Sequence, residues 1–354
     1  MDTPSRRDVL AGLGLGGIAS ALTRAGWTRP ARATEGRLFR DDADRSLSLP
    51  AALGSVLPAG PVAAVWLYTL APDLMAGWPD ALSADQRALI APPYADLPVR
   101  GRVALRGGTV NLEALASLRP DLILDVGSLD PSYRSVAERV QGQTGIAYAL
   151  IDGGLDRVSQ TYARLGDLLG RPQRAAELAA WANAERAEIT RRLPTPADRP
   201  AIAVYYGRGA KGMESAASGA ITTEVIDLLG ARNVVAAGGR GLVTISPESL
   251  VVARPEVILA TDQSFLDALR GEPRWQSLPA VRAGRLYKVP ALPFGWVDYP
   301  PAINRLLGLR WLAKLLYPEA FPEPLAPVVR DFFARFYQVT LSLPQAAALA
   351  GEDR

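Results

Sequence analysis

The chain contains neither histidine nor cysteine in 354 residues. Zinc, manganese and copper favour imidazole or thiolate, so their absence speaks against a receptor for such a bare ion. Haem held by histidine is excluded, while haem held by a tyrosine, Tyr206 or Tyr94, stays open. Without cysteine there is no disulfide and no lipid-bearing residue. With histidine and cysteine both absent, no nucleophile–base pair is evident. No G-x-S-x-G elbow occurs, and the carboxylates are scattered. An exported α/β enzyme is therefore the weaker reading. A charge excess is also lacking. The formal net charge is +3, and residues 1–33 alone carry that excess through Arg6, Arg7, Arg24, Arg29 and Arg32 against Asp2 and Asp8. The remainder is balanced, which argues against a nucleic-acid partner, since displacing counterions needs a basic surface.

What is present begins with an address. Arg6-Arg7 precedes a 14-residue apolar stretch, Val9 to Leu22, and Ala31-Arg32-Ala33 offers a small-x-small cleavage site. That stretch falls short of the ~20 residues that cross a ~30 Å hydrocarbon core. Residues 1–33 read as a cleavable signal peptide, cut after Ala33. The Ser5-Arg6-Arg7-x-x-Leu10 pattern resembles a twin-arginine export signal, with Val9 where an aromatic is commoner. The expectation is a soluble periplasmic monomer.

Two segments then repeat at an offset of 135, "NLEALASLRPDLILDVG" from Asn111 and "SPESLVVARPEVILATD" from Ser246. Glu113 matches Glu248, Leu115 Leu250, Arg119 Arg254, Pro120 Pro255 and Asp121 Glu256. Each reads as a short helix, a proline-marked turn and a continuous apolar strand, the pattern of a parallel sheet covered on both faces. The fold class expected is α/β, with two Rossmann-like lobes of mainly parallel sheet. The boundaries are 34–154 for the N-terminal lobe, 155–194 for one long bridging helix, and 195–354 for the C-terminal lobe with its terminal helices. Gly170 and Pro172 interrupt the bridge, and Pro172 suits the first position of a fresh helix.

Together with "VAAVWLYTLAPDLMAGWP" (62–79), "GWVDYPPAINRLLGLRWLAKLLYP" (295–318) and "RDFFARFYQVTLS" (330–342), the paired repeats resemble the metal-chelate periplasmic binding proteins. These are solute receptors of ABC importers for ferric siderophores, haem and cobalamin; some molybdate and tungstate receptors share the architecture. The resemblance implies no enzyme activity, no cofactor, a cargo held between the lobes, and a permease partner in the inner membrane. It also implies that Glu113 and Glu248, one per lobe, dock on that permease. Their plainer reading is two solvated glutamates near helix starts. A ferric siderophore is the leading cargo, because the chelator fills the iron shell and the protein need supply only cations and aromatics. Haem, a corrinoid, or a molybdate or tungstate oxyanion are the alternatives. An oxyanion would draw on Ser128, Thr109 and glycine-rich turns.

In open α/β sheets ligands sit beyond the carboxyl ends of the strands. The loops expected there nominate Trp78 and Trp296, each in a Gly-Trp turn, as flat walls for a chelate ring. Arg106 and Arg240 in glycine-flanked loops, with Arg208 and Lys211 in "YYGRGAKGMES" (205–215), are the candidate cations. Of the adjacent Tyr205 and Tyr206, Tyr206 is assigned to the cleft. Asp298 suits a helix start. The glycine-rich stretch satisfies neither G-x-x-x-x-G-K-[ST] nor a strand-turn-helix G-x-G-x-x-G, so a nucleotide site is not expected.

Overall fold

The structure is a computed structural model that describes residues 36–103, 112–235 and 241–352. The signal segment and the loops with Arg106, Thr109 and Arg240 lie outside the described residues. The strands are β1 (Arg37–Arg40), β2 (Ser46–Leu49), β3 (Val56–Pro58), β4 (Leu122–Gly127), β5 (Tyr148–Asp152), β6 (Ala203–Gly207), β7 (Glu214–Ala216), β8 (Arg232–Asn233), β9 (Leu242–Thr244), β10 (Val257–Ala260) and β11 (Leu286–Lys288). Two parallel sheets carry the architecture, one in the order β3-β4-β5 and one in the order β11-β10-β6-β8. The pairs β1-β2 and β7-β9 are antiparallel.

The sequence repeat is a structural repeat down to single contacts. The short helices Leu112–Leu118 and Pro247–Ala253 end at Arg119 and Arg254, with φ of 45° and 47°. Both arginines thus take the left-handed conformation that closes a helix. The matched acids then perform one task. Asp121 accepts from the Gly54 and Ser55 amides at 2.7 and 2.9 Å, and Glu256 accepts from the Ala203 amide at 2.8 Å. Each carboxylate ties the start of its own strand to the start of the neighbouring one. The strands that follow are buried on both faces, which explains their unbroken apolar text.

The connection across 155–194 is made of two helices, Val158–Leu169 and Pro172–Arg192. Gly170, at φ 67°, closes the first, and Pro172 opens the second. They lie against each other, and a side chain at Gly166 would run into Ala175. The longer helix, 21 residues, spans roughly 30 Å. It buries Ala175, Leu178, Ala182 and Ile189, and places Arg191 and Arg192 at its negative end. Beyond the second sheet the chain turns back: Tyr337 stacks near Tyr68 at 5.6 Å, and its carbonyl accepts the Tyr68 hydroxyl at 2.8 Å. The C-terminal helices therefore buttress the buried helix Pro61–Leu70 of the first half, as well as their own.

One charge is buried inside the first sheet. Asp125 on β4 is fully enclosed and accepts from the Tyr148 hydroxyl at 3.2 Å. Loss of water outweighs that bond, so its carboxyl is pushed up to about 6. The folded value lies above the unfolded one, so stability should fall as pH rises from about 4 through 6. Asp125→Asn should flatten that slope and add roughly 1–3 kcal/mol at neutral pH. Urea unfolding of both proteins across pH 4–8 measures this; parallel curves would remove the buried charge from the account.

Candidate functional site

Arg305 opens the helix Arg305–Leu316 and is wholly buried. Its guanidinium donates to the Gly153 carbonyl in the first half (2.6 Å), to the Ile221 carbonyl in the second (3.1 Å), and to Glu224. Glu224 in turn accepts from the Leu155 amide (3.0 Å) and the Asp156 amide (3.3 Å) just past β5. Above this tie a cavity of ≈ 450 Å³ opens at the carboxyl ends of β4 and β5. It is lined by Gly127–Pro131, Asp152 and Gly154 on one side and by Gly219–Ile221, Glu224 and Asp227 on the other. This is where the switch-point rule puts a ligand.

Beside the tie lies a cationic group. Arg208, at the end of β6, pairs through Nη1 with Glu214 at 2.7 Å and through Nε with Asp298 at 3.0 Å. Arg102, from the first half, grips Asp80 at 2.7 Å and donates through Nη2 to the Tyr299 hydroxyl at 3.1 Å. The Arg208 guanidinium is 5.8 Å from the centre of the Tyr299 ring. Tyr299 is the one exposed aromatic among the described residues, at 60 %. Its segment is fixed from beneath. The Asn304 side chain donates to the Phe294 carbonyl and the Trp296 indole to the Leu292 carbonyl, both at 3.1 Å. Side chains at Gly295 or Gly308 would collide with the Asp298 and Trp296 carbonyls.

Several expectations change against this geometry. Tyr205 and Tyr206 do point to opposite faces, but both faces are core, and neither tyrosine is exposed. Tyr206 donates to Asp298 at 3.2 Å instead of lining an open cleft. Trp78 is buried against Phe294 and Tyr68, with its indole on the Tyr94 carbonyl at 2.8 Å. Trp296 is fully buried. Neither tryptophan presents a face to a chelate. Asp298 starts no helix; it is the enclosed counter-ion of Arg208 and accepts from the Tyr206 hydroxyl, and burial raises its carboxyl against the pull of Arg208. Arg208 follows the end of β6, and its charged partners Glu214 and Asp298 belong to its own half.

The glycine-rich stretch is a hairpin, not an anion cradle. The Arg208 amide donates to the Glu214 carbonyl, that of Gly209 to the Thr261 hydroxyl, and that of Gly212 to the Gly209 carbonyl. Those amides are spent on the turn. Lys211 sits exposed at its tip. Glu113 and Glu248 are exposed at matched positions on their helices, and amide and Ser246 hydrogen bonds lower the Glu248 carboxyl. Arg106 and Arg240 fall outside the described residues. Sequence reasoning missed Arg102, Tyr299 and the Arg305–Glu224 tie. Tyr299 stood inside a quoted motif, and its position just before Pro300-Pro301 was the available signal.

A sequence model of one family, described as "Periplasmic binding protein", matches residues 70–292. The molybdate-binding protein MolA of Haemophilus influenzae is 24 % identical over 73 % of this chain and 77 % of its own length. The haem uptake protein IsdE of Staphylococcus aureus is 21 % identical over 62 % of this chain and 77 % of its own. The solved structure of an ABC transporter solute binding protein from Sulfurospirillum deleyianum superposes with a TM-score of 0.77 at 23 % identity, covering 88 % of this chain and 98 % of that one.

Removing one partner of a buried pair strands the other charge. Arg305→Met should cost about 3–5 kcal/mol, whereas Arg134→Ala, which breaks an exposed pair with Glu138, should leave the midpoint nearly unchanged. Equal midpoints in chemical denaturation would show that the tie does not hold the halves together.

Proposed function

The chain belongs to the periplasmic binding protein family, the solute receptors of ABC importers, and we propose that its cargo is a multiply charged, oxygen-rich anion of the molybdate or tungstate type. Members of this family bind transported solutes; they are not enzymes and carry no cofactor. Among the described residues no helix is long and apolar enough to cross a membrane. Export through the twin-arginine-type signal, with cleavage after Ala33, and a monomeric receptor complete the proposal.

The observation that carries the cargo assignment is the group Arg102, Tyr299 and Arg208, which joins cations from both halves around one exposed phenol. Arginine forks suit oxyanions, and Arg106, Arg240 and Lys211 stand as further proposed contacts. Burial of Trp78 and Trp296 removes the flat walls that favoured a siderophore. Haem held by Tyr206 loses support, because that hydroxyl is enclosed and committed to Asp298. The molybdate named in the MolA relative agrees with the anion reading. A ferric chelate is the second reading: the cavity of ≈ 450 Å³ at the strand ends, whose lining includes neither arginine nor Tyr299, exceeds the size of a tetrahedral oxyanion.

Native mass spectrometry with metal analysis, on protein taken from the periplasm of its own host, separates the two. A small molybdenum or tungsten adduct supports the oxyanion. An adduct of several hundred daltons with one iron supports the chelate. Arg208→Ala should weaken either anion by roughly tenfold or more; unchanged affinity in titration calorimetry would take Arg208 out of the site. We assign Glu113 and Glu248 to permease docking, because both stand exposed at equivalent places of the repeat and rim charges fix register. Glu113→Ala with Glu248→Ala should leave cargo affinity unchanged and lower uptake in cells. Equal loss of both activities would refute the docking role.

A further inference from the structure

Tyr299 is out of place in two independent respects. Its neighbours Val297 and Asp298 are buried, yet it leaves 60 % of its surface in solvent. Its φ is 56°, in the left-handed region that bulky L residues rarely take. Backbone outliers of this kind persist only where the surroundings over-determine them, and they gather at ligand clamps. Here the surroundings do so: the Gly295 amide donates to the Tyr299 carbonyl at 3.3 Å, and Gly295 and Gly308 allow an approach that no side chain would permit.

The hydroxyl is where the unused chemistry lies. A phenol can accept and donate at once. The Tyr299 oxygen accepts from Arg102, whose guanidinium is held in turn by both Asp80 oxygens, each 2.9 Å from Nε. The hydroxyl's own hydrogen has no acceptor among the described residues. Accepting from a cation polarises a phenol and strengthens it as a donor. Arg208, oriented by Glu214 and Asp298, stands over the ring with its guanidinium 5.8 Å from the centroid. The phenol is therefore touched by cations from both halves of the chain, Arg102 at its hydroxyl and Arg208 at its ring.

Resting on the anion reading of the cleft, we infer that Tyr299 is a cargo-contacting, specificity-determining residue whose hydroxyl donates to an anionic oxygen of the cargo while still accepting from Arg102. The hydroxyl, not the ring face, carries the recognition. Because Arg102 belongs to the first half and Tyr299 to the second, the same contact registers cargo on both halves together. The ligand class is an anion with an outward oxygen acceptor. A cargo that offers only hydrocarbon or aromatic surface would gain nothing from this donor.

Two measurements test it. The first is nitration of Tyr299 by tetranitromethane, read by peptide mass spectrometry, in protein isolated with its cargo and after stripping in urea and refolding. Tyr299 should react more slowly in the loaded protein, and added molybdate should restore protection to the stripped one. Equal reactivity in loaded and stripped protein would overturn the inference. Protection by native cargo but none by molybdate would keep Tyr299 and reject the oxyanion. The second compares Tyr299→Phe with Tyr299→Leu. The Phe variant keeps the ring and should lose about tenfold or more in molybdate affinity, or in retained native cargo, with an unchanged unfolding midpoint. Wild-type affinity in the Phe variant, with loss confined to the Leu variant, would assign recognition to the ring and sink the hydroxyl role.

Discussion

A guanidinium with no exposed surface cannot sit in a protein unless every direction around it supplies an acceptor. Arg305 meets that condition only because the two halves meet. It needs the Gly153 carbonyl from one and the Ile221 carbonyl and Glu224 carboxylate from the other. Burial pulls the guanidinium's affinity for its proton down, and Glu224 opposes that pull. Such a pair is weak evidence for stability in itself, since its desolvation cost rivals its attraction. Its value is geometric. It accepts one relative placement of β5, the Ile221–Leu228 segment and the Arg305–Leu316 helix, and the cavity at the strand ends inherits that placement.

The same placement determines the Tyr299 segment. The Arg305–Leu316 helix begins one residue after Asn304, whose amide holds the Phe294 carbonyl and whose oxygen accepts the Tyr337 hydroxyl at 2.6 Å. Tyr337 packs on Tyr68 of the first half. A run of contacts therefore leads from the interface tie, through Asn304, to the loop that presents Tyr299. With two antiparallel-packed helices and the C-terminal buttress joining the halves, large hinge motion has little room. Recognition then depends on groups already in position.

The fold was legible because its determinants are local and repeated. Apolar strands and the matched Arg119–Arg254 and Asp121–Glu256 positions are written in the text, and each has the same structural use in both halves. The site was less legible because loop position does not fix exposure. Trp78 and Trp296 stand in the loops expected near the cleft, but their faces are taken by Phe294, Tyr68 and the core. The glycine-rich stretch, which matched no nucleotide motif, folds as a hairpin to β7 with the Arg208 and Gly212 amides bonded inside it and that of Gly209 on the Thr261 hydroxyl. Arg102 carried no sequence signal at all, since its meaning comes from Asp80 and from Tyr299, 197 residues further along.

Charge compensation in the cleft narrows what can bind there. Arg208 already faces Glu214 and Asp298, and Arg102 already faces Asp80. A singly charged anion would have to displace, or lie beside, carboxylates that satisfy those guanidiniums, and would gain little over water. These acids repel any anion in proportion to its charge, so what enters must bring enough oxygen acceptors to share the guanidinium forks; burial, which raises the Asp298 carboxyl, eases the neutralisation of that one acid. They also keep both arginines extended and oriented while the cleft is empty, so less ordering is left for the cargo to impose.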